Sequence, residues 1–219
     1  MNMSEIGVAI LFTIALSNCV SAYGQDTVFN KGKNFKYAVE YSDGNIHVKD
    51  TILITPTGKP WRMAPYTQKE IIITYHQAGL DTGIFAGLPS LGWIESDTTG
   101  FVENDEACWF HPPRHNQYKI LELAPFPRVE YPLEKNRSYA SILYIGDAWA
   151  ELSNSKVTWN YTIVGELDGK WLISSRATPD ITPNEVNTLD FTFHPGEGFD
   201  ALYYNFSNGT FISMLRIPQ

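Results

Sequence analysis

The chain has 219 residues, 43% hydrophobic, 14% aromatic and 18% charged, with 16 Lys plus Arg against 24 Asp plus Glu for a net charge of −8. That length supports a substantial core, and the low charge with a high aromatic load argues against wholesale disorder. The acidic balance without a basic cluster argues against nucleic acid or an anionic membrane as the main partner, and composition excludes collagen, coiled coil, a multi-span membrane protein and a disulfide-dense miniprotein.

The first element is Ile6 to Leu16, an uncharged apolar run of eleven residues. It is too short to cross a bilayer, which takes roughly 20 residues, and it fits the hydrophobic region of a signal peptide. Met1 to Glu5 contains no Lys or Arg. Two processing sites follow. Val20-Ser21-Ala22 offers small residues for cleavage after Ala22, giving a signal peptide over 1–22 and a secreted or periplasmic chain over 23–219. Alternatively, Leu16-Ser17-Asn18-Cys19 resembles a lipobox, and lipidation at Cys19 would be the one route to a membrane. Cleavage after Ala22 removes Glu5 and no basic residue, leaving a mature charge of −7, and leaves Cys108 as the one mature cysteine. One cysteine cannot make an intramolecular disulfide, and between Ala107 and Trp109 it reads as a small buried hydrophobe.

The rest reads as strands and turns. Phe35, Tyr37, Val39 and Tyr41 share one face at period two, Asp43-Gly44 turns the chain, and Ile46, Val48, Ile52 and Ile54 continue a second strand that Asp50 interrupts. Thr55 to Pro60 reads as a loop, because its two prolines cannot donate to a ladder. Glu70 to Tyr75 reads as a strand buried on both faces, and Gly79 to Gly92 as a long ordered loop. Trp93 to Glu103 suggests a hairpin turning at Asp97 to Gly100. His111-Pro112-Pro113 must leave the sheet or line its edge, Ile120 to Val129 is at best an edge strand, and Tyr139 to Ile145 is a strand. In the C-terminal third, runs around Trp159, Trp171, Phe191, Tyr203 and Phe211 alternate, separated by Asp168-Gly169, a Pro-bearing loop, His194 to Gly198 and Asn208-Gly209. The expectation is one all-β domain: an antiparallel meander forming a curved sheet, a barrel or a two-sheet sandwich.

The densest polar cluster is Glu103, Asp105, Glu106, Cys108, His111, Arg114 and His115. Its Cys-x2-His-x3-His spacing has zinc-binding residue types, but Pro112 and Pro113 prevent the helix that usually aligns such ligands, so a structural corner is expected and no metal site. Asp81-Thr82-Gly83 matches the aspartic-protease tripeptide in one copy, where the chemistry needs two carboxylates sharing a proton. Ser90 lacks the first Gly of a nucleophile elbow, and no phosphate loop, dinucleotide fingerprint or calcium loop is present, so no cofactor is expected. Six tryptophans with 12 Tyr and 12 Phe instead offer a pocket for an apolar ligand or stacking faces for a sugar.

Three stretches carry a family resemblance: Cys108 to His115, Pro125-Phe126-Pro127, and Phe191 to Phe193 with Glu197-Gly198-Phe199. They resemble exported proteins of Bacteroidetes-type bacteria, a group with no established activity. The resemblance implies bacterial export and an all-β fold, and implies no catalytic residue.

The sequence therefore reads as an exported, non-catalytic binding or envelope-associated β protein, whose partner is a small apolar or sugar ligand or an envelope protein. The residues expected to carry binding are Trp93 and Trp109 as stacking faces, Arg114 as an anion clamp, and His111 and His115 as polar contacts. The alternative is a secreted hydrolase using the acid/His cluster at 103–115.

Overall fold

The computed structural model describes residues 27–76, 93–146 and 154–218. The expected signal peptide over 1–22 with Cys19, the expected loop over 79–92 with Asp81-Thr82-Gly83 and Ser90, and Trp149 lie outside the described residues.

Among the described residues, twelve strands form one antiparallel sheet: β1 (Phe35–Ser42), β2 (His47–Pro60), β3 (Lys69–Tyr75), β4 (Ser96–Glu103), β5 (Ala107–Phe110), β6 (Arg128–Glu130), β7 (Ser138–Tyr144), β8 (Lys156–Leu167), β9 (Lys170–Pro179), β10 (Asn187–His194), β11 (Gly198–Asn205) and β12 (Phe211–Arg216). Their order is β6-β5-β4-β3-β2-β1-β12-β11-β10-β9-β8-β7. Each wing is a meander of sequence neighbours, and the wings join where β1 pairs with β12, Tyr37 opposite Arg216. Residues 131–137 connect the two edge strands, so the sheet curls until its edges nearly meet. Side chains bridge the seam: Tyr139 Oη donates to the Arg128 carbonyl at 2.6 Å and Tyr161 Oη to the Phe126 carbonyl at 3.0 Å. Of the three expected architectures, the curved sheet approaching a barrel is the one the chain adopts.

Strand alternation sends aromatic and branched residues inward, where most of those described are buried. Tyr37, Tyr161, Tyr204, Phe191, Phe193 and Phe199 are among the fully buried side chains. Outward positions include Lys36, Lys49, Lys156, Asn160 and Thr162, all exposed.

Call the end where β1 begins the lower end and the end where β1 finishes the upper. At the lower end Phe29 sits against Phe35, Phe101, Phe110 and Phe199, with ring centroids 4.7–6.5 Å away. Glu103 holds this segment by accepting from the Val28 and Phe29 amides, the latter at 3.0 Å. At the upper end the β5–β6 connection turns into a 3-10 helix, Asn116–Leu123, whose Tyr118 and Leu121 are fully buried. In a 3-10 helix residues three apart share a face, which is how both enter the barrel.

Three local expectations are corrected. Thr55 to Pro60 belongs to β2, because β1 begins at Phe35 opposite Ile54 and the prolines fall where β2 has a neighbour on one side alone. Asp97 to Gly100 is not a turn but the middle of β4. Gly100 is there because a Cβ would lie 2.1 Å from Gln68 Oε1 and 2.6 Å from the Trp61 ring, both laid over the strand. Strand β3 buries one face, Ile71, Ile73 and Tyr75, rather than two.

Candidate functional site

Strand β5 covers only the lower part of β4, from Phe101 opposite Phe110 to Glu103 opposite Cys108. Pro112 and Pro113 then end the ladder, since neither has an N–H. The segment from His111 to His115 runs beside the uncovered part of β4 and meets it with one main-chain bond and several side-chain contacts. His111 N donates to the Gly100 carbonyl at 3.0 Å, and Arg114 Nη2 donates to Thr99 Oγ1 at 2.8 Å. Asp97 Oδ2 lies 3.3 Å from His115 Nε2 and 3.7 Å from Arg114 Nε. Burial alone would raise the Asp97 carboxyl, but the close approach and charge of His115, with the charge of Arg114, outweigh it and hold the group below its usual range.

His111 has a different setting from His115. Its ring lies among Trp61, Trp109 and Phe126, centroids 4.9–5.3 Å away, and its Nε2 is 3.1 Å from Gln68 Oε1. Burial, with the nearby Arg114 charge, pushes this imidazole down to about 3, so it is neutral at physiological pH. A neutral ring with Nε2–H donating to Gln68 leaves Nδ1 buried without a hydrogen-bond partner.

Trp93 stands apart from this row. It meets Tyr75 edge-on at 6.1 Å, and Tyr75 stacks on Tyr118 at 5.9 Å. Tyr118 Oη donates to Asp50 Oδ2 at 2.9 Å, and the Thr51 amide donates to Asp50 Oδ1 at 2.6 Å. Beside them Asn116 clamps Ile94, accepting from its N–H at 3.1 Å and donating to its carbonyl at 2.9 Å. The upper end is thus closed by two polar groupings, Asp97 with Arg114 and His115, and Asp50 with Tyr118.

Of the expected binding residues, Trp109, His111, Arg114 and His115 gather along the β4 edge, with Trp93 on the neighbouring aromatic stack. The acid/His cluster as a whole is not brought together. Glu103 turns to the N-terminal segment, and Asp105 and Glu106 are exposed on the β4–β5 turn. Cys108 is fully buried, and burial pushes its thiol well up, so it is no thiolate nucleophile. The carboxylate beside a histidine is Asp97, from outside the predicted cluster, and Thr99 on the same strand is fully buried with its hydroxyl engaged by Arg114. Among the described residues no group of three His, Cys, Asp or Glu is placed to hold a metal. Asp50 and Asp97 were detectable in principle, because each puts a carboxylate at an inward position of a strand, in register with Ile52 and with Phe101.

A depression of about 310 Å³ lies on the outside of the barrel, lined by Trp61, Arg62, Met63, Glu70 and Thr98. Met63 is 72% and Tyr66 99% exposed on the β2–β3 loop that borders it.

No family model matches the chain. No curated protein matches it. Among solved structures, a Bacteroides fragilis protein described provisionally as exported, with a YmcC-like fold, aligns with a TM-score of 0.37 at 9% identity, covering 87% of this chain and 97% of that one. It is a protein of the kind the sequence resembles. At that TM-score and identity the likeness assigns no residue a role.

Proposed function

We propose that this is an exported, non-catalytic binding protein of the cell envelope that meets a protein partner on the outside of its barrel. The observation that supports the reading is the burial of the described inward side chains, with Phe29 packed at the lower end and the 3-10 segment at the upper. A carrier of lipid or sugar needs a lumen of several hundred Å³, and among the described residues the inward positions are taken by the protein's own aromatics. Of the residues expected to catalyse or bind, His111, Arg114 and His115 are engaged along β4. Among the exposed apolar side chains, the most exposed is Tyr66 on the β2–β3 loop, with Met63 beside the depression, an aromatic and a flexible apolar side chain of the kind that anchors protein interfaces. Export rests on the apolar run Ile6 to Leu16 and the small residues at Val20 to Ala22.

The test is expression of the full chain in a Gram-negative host with a photo-crosslinking residue at position 66, followed by recovery without refolding. The expected result is an intact mass beginning at Tyr23 with no bound small molecule, and a discrete crosslink to an envelope protein that Met63→Asp abolishes. A stoichiometric lipid or sugar carried through purification would overturn the reading and return the function to small-molecule carriage.

A further inference from the structure

The two edges of the sheet are defended unequally. Strand β6 has three residues, Arg128 to Glu130, lies between Pro127 and Pro132, and carries an Arg128–Glu130 ion pair at 2.7 Å. Short length, charge and proline are the usual devices that stop an edge from pairing with another chain. Strand β7 has none of them. Its seven residues, Ser-Tyr-Ala-Ser-Ile-Leu-Tyr, include no charge and no proline, with Ile142 54% and Tyr144 70% exposed.

The register shows which backbone groups this edge offers. Ile145 N donates to the Ser155 carbonyl and Ile163 N to the Arg137 carbonyl, so the odd-numbered residues of β7 exchange hydrogen bonds with β8. The N–H and C=O groups of Ala140, Ile142 and Tyr144 therefore point away from β8. Among the described residues no other strand pairs with them, and β6 lies beside the beginning of β7, where Tyr139 reaches Arg128.

We propose that the β7 edge pairs antiparallel with β7 of a second copy, about a two-fold axis through Ile142. The occupant follows from the pattern. An axis at that residue sets Ile142 against Ile142, and Ala140 against Tyr144 at both ends, so every exposed side chain along the joint meets an apolar one. The same axis leaves the Ser138 end, beside the seam, without a strand to accommodate. Two copies of a chain with net charge −8 repel overall, and a strand with no charge of its own is where they approach without like charges opposed. A two-fold joint is self-complementary and closes as a dimer, joining the two sheets into one. The inference goes beyond the partner-binding reading and does not depend on it, because it uses a different face from the β2–β3 loop.

The test uses the recovered full-chain product in analytical ultracentrifugation across a concentration series. The wild type should show a monomer–dimer equilibrium. Ile142→Lys and Ile142→Glu should each raise the dissociation constant by at least about tenfold, because each sets like charges directly opposite. An equimolar mixture of the two should restore the dimer, which only a self-opposed position 142 can do. A wild type that stays monomeric throughout, or charge variants that dimerise as well as wild type, would overturn the proposal. Should the charged variants misfold, Ile142→Cys decides: opposed residues in a hydrogen-bonded pair sit about 5.5 Å apart at Cα, within disulfide range. Mild oxidation should then give a covalent dimer, with Cys108 buried and inert, and failure to crosslink would equally overturn the idea.

Discussion

At the lower end of the barrel Phe29 is wedged among four phenylalanine rings, with one carboxylate, Glu103, holding its backbone; at the upper end a 3-10 segment is tied down by Asp50, Asp97, Arg114 and His115. Each closure meets its own local requirement. The lower segment must cover the ends of tightly spaced strands, and apolar rings do that without direction. The upper segment must replace the missing part of β5 beside β4, and an uncovered strand edge has to be met with hydrogen-bonding groups. Apolar closure resists changes in pH, whereas polar closure is directional and titrates.

The largest single effect expected is at the lower end. Phe29→Ala removes the ring shared by Phe35, Phe101, Phe110 and Phe199 and leaves a cavity, which should cost about 3–5 kcal/mol by chemical denaturation. A cost below about 1 kcal/mol would mean that the N-terminal segment merely rests on the barrel.

The next effect is a pH dependence carried by the β4 edge, which the rings around Phe29 do not share. His111 has an ordinary value of 6.5 and a folded value of about 3. Between those values the unfolded chain takes up a proton that the folded chain refuses, so stability falls as pH drops below 6.5, by up to about 1.4 kcal/mol per pH unit, and is unaffected above it. The lowered Asp97 carboxyl works in the same sense, its stabilisation being lost at still lower pH. Denaturation at pH 7.5 and 4.5 should therefore show a loss of about 2–3 kcal/mol, and His111→Gln should remove most of that difference. Phe29→Ala should keep it in full. An unchanged pH difference in His111→Gln would break the contrast between the ends.

A smaller effect is expected from Tyr118→Phe, which removes one donor to the buried Asp50 carboxylate and should cost about 1–3 kcal/mol at neutral pH. If the variant is as stable as wild type, Asp50 is not what holds the 3-10 segment.

The apolar half of this contrast was visible in the sequence and the polar half was not. Alternation at Phe35 to Tyr41, and again from Val157 through Phe193, reports the face each strand turns inward, and turn residues such as Asp168-Gly169 mark reversals locally. In β11 and β12 it misleads: Tyr203 and Leu215, read as members of the alternating sets, are exposed, and Leu202, Tyr204, Ile212 and Met214 take the inward positions after a register shift at Thr192/Phe193. The upper closure and the β4 edge depend on pairs far apart in the chain. Asp50 with Tyr118, Asp97 with His115 and Gln68 with His111 have no spacing that announces them. Gly100 looked like a turn because a glycine required by a tryptophan from another loop is, in sequence, the same letter as one required by backbone conformation. The histidines and Arg114 were identified as important, yet the groups they face come from other strands, and those groups give them their role.

The junction of β1 with β12 sets the order of assembly. Either wing can form from hairpins as it leaves the ribosome or a translocation channel, but β1 finds its second neighbour only after the chain has emerged as far as Arg216. Until then the open side of β1 is a nascent edge, available to a chaperone and vulnerable to mispairing. Pairing of β1 with β12 therefore comes late in synthesis.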